Sequence, residues 1–320
     1  MSATRSQRFL RPAAQAAGVL LALLVLAGCS VNKFAVGKLG DALSGGSGGT
    51  FASDDDPELI KASVPFSLKL MESLLDQVPD HQGLLLGTSS GFTQYGYAFV
   101  QQDADELEAT DYATAQAMRL RAKRLFLRAR GYGLRGLEAR HKGFRPALAG
   151  NPRAAVAVMR RPDVPQLYWT AAAWGAAISL GKDDPALIAE IPQMEALIDR
   201  AAELDPDWGD GSIHSFLINY EMSRQGVSGD PVARARRHFD RAVELAADRM
   251  AGPFVTFAEA VCVEQQDAAQ FEALLKRALA IDADAHPQFR LANLIMQRRA
   301  RWLLSKQEDL FLQPAKPARK

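Results

Sequence analysis

The stretch Arg200-Ala-Ala-Glu-Leu-Asp205-Pro206 recurs twice, in variant form, further along the chain. The variants are Arg241-Ala-Val-Glu-Leu-Ala-Ala-Asp248 and Arg277-Ala-Leu-Ala-Ile-Asp-Ala-Asp284. Each is typical of the end of a helix, because Arg, Ala, Leu and Glu favour helix whereas Asp and Pro do not extend it. The three copies start 41 and 36 residues apart, close to the 34-residue period of tetratricopeptide repeats. This spacing predicts stacked helix pairs.

Helical patterns continue on both sides of these endings. Each of the three endings is expected to close the second helix of a pair. The first helix of each pair is then expected over about 166–180, 208–225 and 252–266. Upstream, Asp56-Pro57-Glu58 has the composition of a helix start, and further helices are expected over about 57–77, 80–104 and 111–142. No segment alternates apolar and polar residues over enough positions to predict a strand. We therefore predict an all-α, tetratricopeptide-like array of antiparallel helix pairs over residues 54–311.

The N-terminal 28 residues are predicted to be a lipoprotein signal peptide. Three arginines precede an apolar run at 13–26 that is shorter than the roughly 20 residues of a membrane-spanning helix. The run ends in Leu26-Ala-Gly-Cys29, so we expect Cys29 to be the acylated N-terminus, carrying chains such as palmitate. Ser30, in place of Asp, favours transport to the outer membrane, with the protein lipid-anchored on its periplasmic side.

A flexible tether is predicted over residues 29–53, because it contains Ser44-Gly-Gly-Ser-Gly-Gly49. Residues 312–320 are predicted to be a disordered tail. Without residues 1–28 the chain has 35 Lys+Arg and 37 Asp+Glu, so it lacks the basic surface of a nucleic-acid-binding protein. Cys262 is then left without a second cysteine for a disulfide, and a buried core position is its expected role.

Motifs for catalysis are weak or missing in the sequence. Gly131-Tyr-Gly-Leu-Arg-Gly136 matches the dinucleotide pattern G-x-G-x-x-G, but the residues before it favour helix, where the pattern needs a strand. We interpret these glycines as positions of close helix packing. The five histidines are scattered, and no H-E-x-x-H, C-x-x-C or G-x-S-x-G occurs. The sequence predicts no enzyme, no metal site and no cofactor.

Aromatic residues are concentrated in two segments. Such clusters at helical spacing pack in a core or line an apolar ligand cavity, and composition alone does not decide between the two. Hydroxyl and amide groups among them would each need a partner in a sealed core. We therefore expect them to border a cavity, and the candidates are Phe92, Thr93, Gln94, Tyr95, Tyr97, Phe99, Tyr168, Trp169 and Trp174.

Four stretches together carry a family resemblance. They are Asp54–Leu75, Pro79–Val100 with its Phe-Thr-Gln-Tyr segment, Ala129–Glu138 and Tyr168–Leu180. In these stretches the chain resembles the T-component family of TRAP transporters (TatT), over about residues 54–310. The resemblance implies a periplasmic lipoprotein of tetratricopeptide-like helices that forms a homotrimer. It also implies a cavity for an apolar ligand and no catalytic residues.

The resemblance implies that the protein is an accessory subunit of a TRAP-type transport system. Such a subunit docks the periplasmic solute-binding protein of the transporter and holds or relays an apolar solute. The alternative is a tetratricopeptide lipoprotein adaptor that helps to insert outer-membrane proteins or to assemble pili. A stable complex with a solute-binding protein would favour the first hypothesis, and a stable complex with assembly proteins would favour the second.

Overall fold

The computed structural model describes residues 38, 40 and 49–312, and every regular element in this part of the chain is a helix. The predicted all-α class is therefore confirmed. The predicted signal peptide, Cys29, most of the tether and residues 313–320 of the predicted tail lie outside the described residues. Among the helices that are described, none is both long and apolar enough to cross a bilayer.

The first half of the chain begins with a separate helix, continues with a helical stretch that changes pitch, and then has one long helix and two short ones. The elements are α1 (Pro57–Gln77), α2 (Gln82–Tyr95), the π-helical turn π1 (Gly96–Gln101), α3 (Gln102–Leu107), α4 (Tyr112–Arg140), α5 (Phe144–Gly150) and α6 (Pro152–Val156).

A 3₁₀ turn at Arg161–Asp163 leads into the second half. Its elements are α7 (Val164–Ser179), α8 (Pro185–Ile188), α9 (Ile191–Leu204), α10 (Trp208–Ser223), α11 (Pro231–Ala246), α12 (Gly252–Phe257), the π-helical turn π2 (Ala258–Cys262), α13 (Ala268–Leu279), α14 (Arg290–Ser305) and α15 (Gln307–Leu310). A second 3₁₀ turn, Pro287–Phe289, precedes α14.

Side-chain caps fix several helix starts. Asp56 Oδ1 accepts the backbone N–H groups of Glu58 and Leu59, both at 3.0 Å, which is the cap that the sequence predicts for α1. Asp111 caps α4 in the same way. The start of α2 differs from the predicted Asp80, since His81 Nδ1 accepts the N–H of Leu84 at 3.1 Å.

Neighbouring helices pack in order along the chain. α1 contacts α2, α2 contacts α4, α4 contacts α7, and α7 contacts α9. The next pairs in contact are α10 with α11, α12 with α13, and α13 with α14. The predicted pairs α7/α9, α10/α11 and α12/α13 are thus neighbours, whereas their tetratricopeptide-like antiparallel arrangement stays a prediction. Two main cores result, one around Phe126 and Leu167 and one around Phe254 and Phe271.

The G-x-G-x-x-G pattern lies entirely inside α4. It therefore lacks the turn between strand and helix that a dinucleotide site needs. Gly133 and Gly136 instead face α7, where Gln166 Nε2 donates to the Gly133 carbonyl at 3.2 Å. Close packing of two helices is thus the structural role of these glycines.

Candidate functional site

A cavity of about 710 Å³ lies between α1, the α2–π1 stretch and α14. Its walls are mostly apolar, because each of these helices turns aliphatic, aromatic or thioether side chains towards it. The principal wall residues are Ile60, Val64, Leu68 and Met71 from α1, Tyr95, Tyr97, Ala98 and Phe99 from α2 and π1, and Leu291, Ile295 and Met296 from α14. Cavities of this size and character accommodate small apolar ligands.

The π-helical turn shapes the wall opposite α14. A π turn holds more residues than an α turn, so it changes which side chains share one face. Gly96, at its start, allows close approach of α4, because a Cβ there would lie 2.8 Å from Phe126 Cε1. The turn places the Tyr97 hydroxyl 3.9 Å from Met296 Sδ on α14. Burial, with a contribution from the nearby Glu259, raises the pKa of Tyr97 to about 12, which keeps this hydroxyl neutral.

A left-handed turn supplies another part of the wall. Gly209, Asp210 and Gly211 have φ values of 65°, 52° and 90°, so regular helical geometry in α10 begins only after them. Asp210 Oδ1 accepts a hydrogen bond from Arg249 Nη2 at 3.0 Å, and the Arg249 guanidinium also lies over the Phe289 ring. Asp210 and Arg249 are the two charged residues among the lining residues, so the described walls carry no net charge.

Residues just before α1 close the cavity on the side of α14. Phe51 and Ala52 line it, and the Ala52 carbonyl accepts the N–H of Leu291 at 3.0 Å. Arg290 Nη1 donates to the Ser53 carbonyl at 2.8 Å. The end of the predicted tether therefore packs on the domain, since its backbone acceptors find donors at the start of α14.

Ion pairs of α3 hold the surrounding helices together. Asp103 pairs with Lys61 of α1 and with Arg298 of α14, both at 2.8 Å. Asp105 pairs with Arg299 of α14 at 2.9 Å. The hydrogen bond to Asp103 raises the pKa of Lys61 despite its partial burial. These contacts position α1 and α14 relative to α3.

Five of the nine candidate residues line the cavity: Gln94, Tyr95, Tyr97, Phe99 and Trp169. Gln94 is exposed, and its Nε2 donates to the Ser90 carbonyl within α2 at 3.3 Å. The structure thus brings residues from both aromatic segments to one cavity. Their contact with a ligand stays a prediction.

The other four candidates are not among the lining residues, and their polar or aromatic groups have partners elsewhere in the protein. Phe92 stacks on Tyr132 of α4 with ring centroids 6.3 Å apart, and Thr93 Oγ1 donates to the Ser89 carbonyl at 2.7 Å. Tyr168 packs between Trp169 and Trp208, with ring centroids 5.1 and 4.8 Å away. Trp174 Nε1 donates to Glu190 Oε2 at 3.0 Å.

The contribution of α14 to the cavity was not predicted from the sequence. Leu291 and Ile295 are four residues apart and so share one helix face, which is the signal that could have identified them. Within the described residues, no group of three or more His, Cys, Asp or Glu side chains could hold a metal ion.

Comparison with known proteins identifies related chains. The sequence model of the TRAP transporter T-component family (TAtT) matches residues 53–311. An uncharacterized protein of Treponema pallidum (strain Nichols) is 29% identical over 306 residues, covering 90% of this chain and 95% of that protein. The range matched by the family model includes every cavity-lining residue except Phe51 and Ala52.

Proposed function

Because this chain belongs to the TRAP transporter T-component family, we propose that it is a periplasmic lipoprotein that docks the solute-binding protein of its transporter and holds an apolar solute. An accessory role in a TRAP transport system follows from membership of the family. Docking, the solute, the lipid anchor and the oligomeric state are parts of the proposal. We propose no catalytic activity.

The observation that carries the proposal is the cavity between α1, α2–π1 and α14. Its volume of about 710 Å³ lies within the range typical of small-molecule sites. The Asp210–Arg249 pair is internally neutralised, and Tyr97 keeps its proton, so neither group offers a free charge to a ligand. These walls favour an uncharged, largely apolar solute with at most a few hydrogen-bonding groups.

The remaining parts of the proposal depend on the sequence. The Leu-Ala-Gly-Cys29 motif supports acylation of Cys29, and Ser30 supports an outer-membrane location on the periplasmic side. The resemblance to the T-component family supports a homotrimer and a complex with the solute-binding protein. The family match gives no support to a role in outer-membrane protein or pilus assembly.

A blocked cavity tests the proposal directly. Ala292 is an exposed lining residue near the start of α14, so Ala292→Trp should fill the cavity without deleting core atoms. The matched control is Ala273→Trp, at an exposed position of α13 that does not line the cavity. The probe is N-phenyl-1-naphthylamine, an uncharged fluorophore that brightens in apolar surroundings.

We expect saturable binding of the probe by the wild type and by Ala273→Trp, and at least tenfold weaker binding by Ala292→Trp. Circular dichroism checks that all three proteins are equally folded. Equal probe binding by the two variants would show that the cavity is not the binding site. Absence of saturable binding by the wild type would count against an apolar solute.

A further inference from the structure

Residues 49–53, immediately before α1, fold into a turn of their own, which we call the strap. The backbone N–H groups of Ala52 and Ser53 both donate to the Gly49 carbonyl, at 3.1 and 3.2 Å. All residues of the strap are exposed or only partly buried. The start of α1 does not depend on the strap, because Asp56 supplies the cap of this helix.

Two backbone carbonyls fasten the strap to the start of α14. The Ala52 carbonyl accepts the N–H of Leu291 at 3.0 Å, and the Ser53 carbonyl accepts a hydrogen bond from Arg290 Nη1 at 2.8 Å. The first N–H groups of a helix have no partner inside the helix. Phe289, which precedes α14, has no side-chain acceptor for them. The strap therefore supplies the acceptor that a capping side chain would otherwise provide.

Phe51 of the strap lies at a mouth of the cavity. Phe51 and Ala52 both line the cavity, and Phe51 is 37% exposed, so this residue borders the cavity and solvent at once. Gln288 and Ala292 are also exposed lining residues, on either side of the attachment point at Leu291 in the sequence. The cavity thus meets solvent beside the strap, and Phe51 covers part of this opening.

The helical walls of the cavity have contacts that do not involve the strap. Ile60 and Leu68 of α1 are 4% and 3% exposed and belong to the main core. Asp103 pairs with both α1 and α14. Arg290 would keep its ion pair with Asp284, at 2.8 Å, after losing the Ser53 carbonyl. Segments with few buried apolar contacts open locally while the rest of a protein stays folded, and the strap is such a segment.

We propose that the strap gates the cavity. Fastened to α14, it slows the passage of a solute past Phe51, and released, it leaves the mouth open. Release of the strap then limits both entry and exit, as the opening of a lid does in many enzymes. The inference rests on the proposed function, because it concerns the exchange of the solute in the same cavity.

The position of the strap in the chain gives the gate a second connection. The strap is the last part of the predicted tether, so the gate lies on the segment that joins the domain to the proposed lipid anchor. Phe51 and Ala52 also precede residues 53–311, the range that matches the family model. The gate is therefore a feature of this chain outside the range that the family model covers.

A reversible disulfide tests the gate on the full chain in lipid nanodiscs. Ala52→Cys/Leu291→Cys places thiols on two residues whose backbones are hydrogen-bonded, a separation that suits a disulfide. Cys262 is 1% exposed and does not compete. The probe is N-phenyl-1-naphthylamine, detected in stopped-flow mixing by energy transfer from tryptophan, since Trp169 lines the cavity. Protein-free nanodiscs give the background.

The oxidised form of this variant should bind and release the probe at least tenfold more slowly than its reduced form, with a dissociation constant that changes less than threefold. Phe51→Ala should raise the dissociation rate constant at least fivefold, because it removes the ring at the mouth. The matched control is Thr50→Ala, since Thr50 is exposed on the same strap and does not line the cavity. It should exchange the probe like the wild type.

Equal rates in the oxidised and reduced forms, with the disulfide confirmed by mass spectrometry, would overturn the gate while saturable binding left the cavity site intact. Equal rates for Phe51→Ala and Thr50→Ala would overturn the role of Phe51. A lower melting temperature of Phe51→Ala without any change in rates would show that the strap only stabilises α14. Absence of saturable binding by the wild type would overturn the apolar site itself, and the gate with it.

Discussion

Two glycines of α4, two residues apart, should respond in opposite ways to the same substitution. An alanine Cβ at Gly133 would lie 2.3 Å from Thr170 Oγ1 on α7 and 3.1 Å from Ser89 Oγ on α2. An alanine Cβ at Gly131 would meet nothing within 4 Å. Both sites are helical, so both substitutions gain the same intrinsic helix propensity, about 1 kcal/mol. The difference between them therefore measures the cost of separating the helices.

The magnitude follows from the contacts. A 2.3 Å approach is far inside van der Waals contact, so α4 and α7 must move apart at Gly133, and overpacking of this kind costs about 1–3 kcal/mol. The shift also weakens the hydrogen bond from Gln166 Nε2 to the Gly133 carbonyl, a further loss of about 1 kcal/mol. After the propensity gain, we expect Gly133→Ala to lower the free energy of unfolding by about 2 kcal/mol. Gly131→Ala should raise it by about 1 kcal/mol.

Urea unfolding followed by circular dichroism at 222 nm measures both values. Thr170→Ala removes the hydroxyl that the new methyl group would strike, so the double variant Gly133→Ala/Thr170→Ala should be more stable than the sum of the single effects predicts. A Gly133→Ala protein as stable as the wild type would refute the account of Gly133 as a close-packing position. Equal effects at the two glycines would do the same.

Two further predictions concern titratable groups of the second half. The Nδ1 atoms of His214 and His238 lie 2.9 Å apart, and burial lowers the pKa of both rings, that of His238 to about 4. These two rings bind protons less well in the folded state than in the unfolded state. The neutral pair therefore makes its full contribution to the free energy of unfolding above pH 6.5, and this contribution is lost as the pH falls from 6.5 towards 4. Because both rings partly reach solvent, we expect the free energy of unfolding to fall by about 1–2 kcal/mol over this pH range. The measurement is the difference in unfolding free energy between the wild type and His238→Gln as a function of pH. A difference that does not change with pH would contradict the prediction. Burial also raises the pKa of the Cys262 thiol to about 12. Iodoacetamide at pH 8 should therefore leave Cys262 unmodified in the folded protein and alkylate it in urea, as mass spectrometry would show, whereas rapid alkylation without urea would disprove its burial.

Local sequence signals predicted most helix boundaries well. Asp56 and Asp111 cap the helices that they were expected to start, because an Asp side chain satisfies the first backbone N–H groups of a helix without help from the rest of the fold. The ending before Asp205 also coincides with the end of α9. These features depend on residues close together in sequence, so the sequence alone shows them.

The cavity could be predicted only in part, because it depends on contacts between distant segments. The change of pitch at Gly96–Gln101 places Tyr95, Tyr97 and Phe99 together on the cavity wall, which a regular 3.6-residue period does not predict. Phe92 lies one turn earlier and packs on α4 instead. The left-handed turn at residues 209–211 and the approach of α14 are likewise set by packing rather than by local preference.

The cavity joins the beginning and the end of the domain, and this affects when it can form. Ser53 and Arg290 are hydrogen-bonded although 237 positions separate them in the chain. Ribosomes make the chain from its N-terminus, so α1 and α2 exist well before α14, the helix that supplies the remaining wall. Until α14 arrives, the apolar side of α1 has no partner there and a solute has no enclosed site. A solute bound there, as proposed, would contact both ends of the domain, so it would oppose their separation and stabilise the most non-local contacts of the fold.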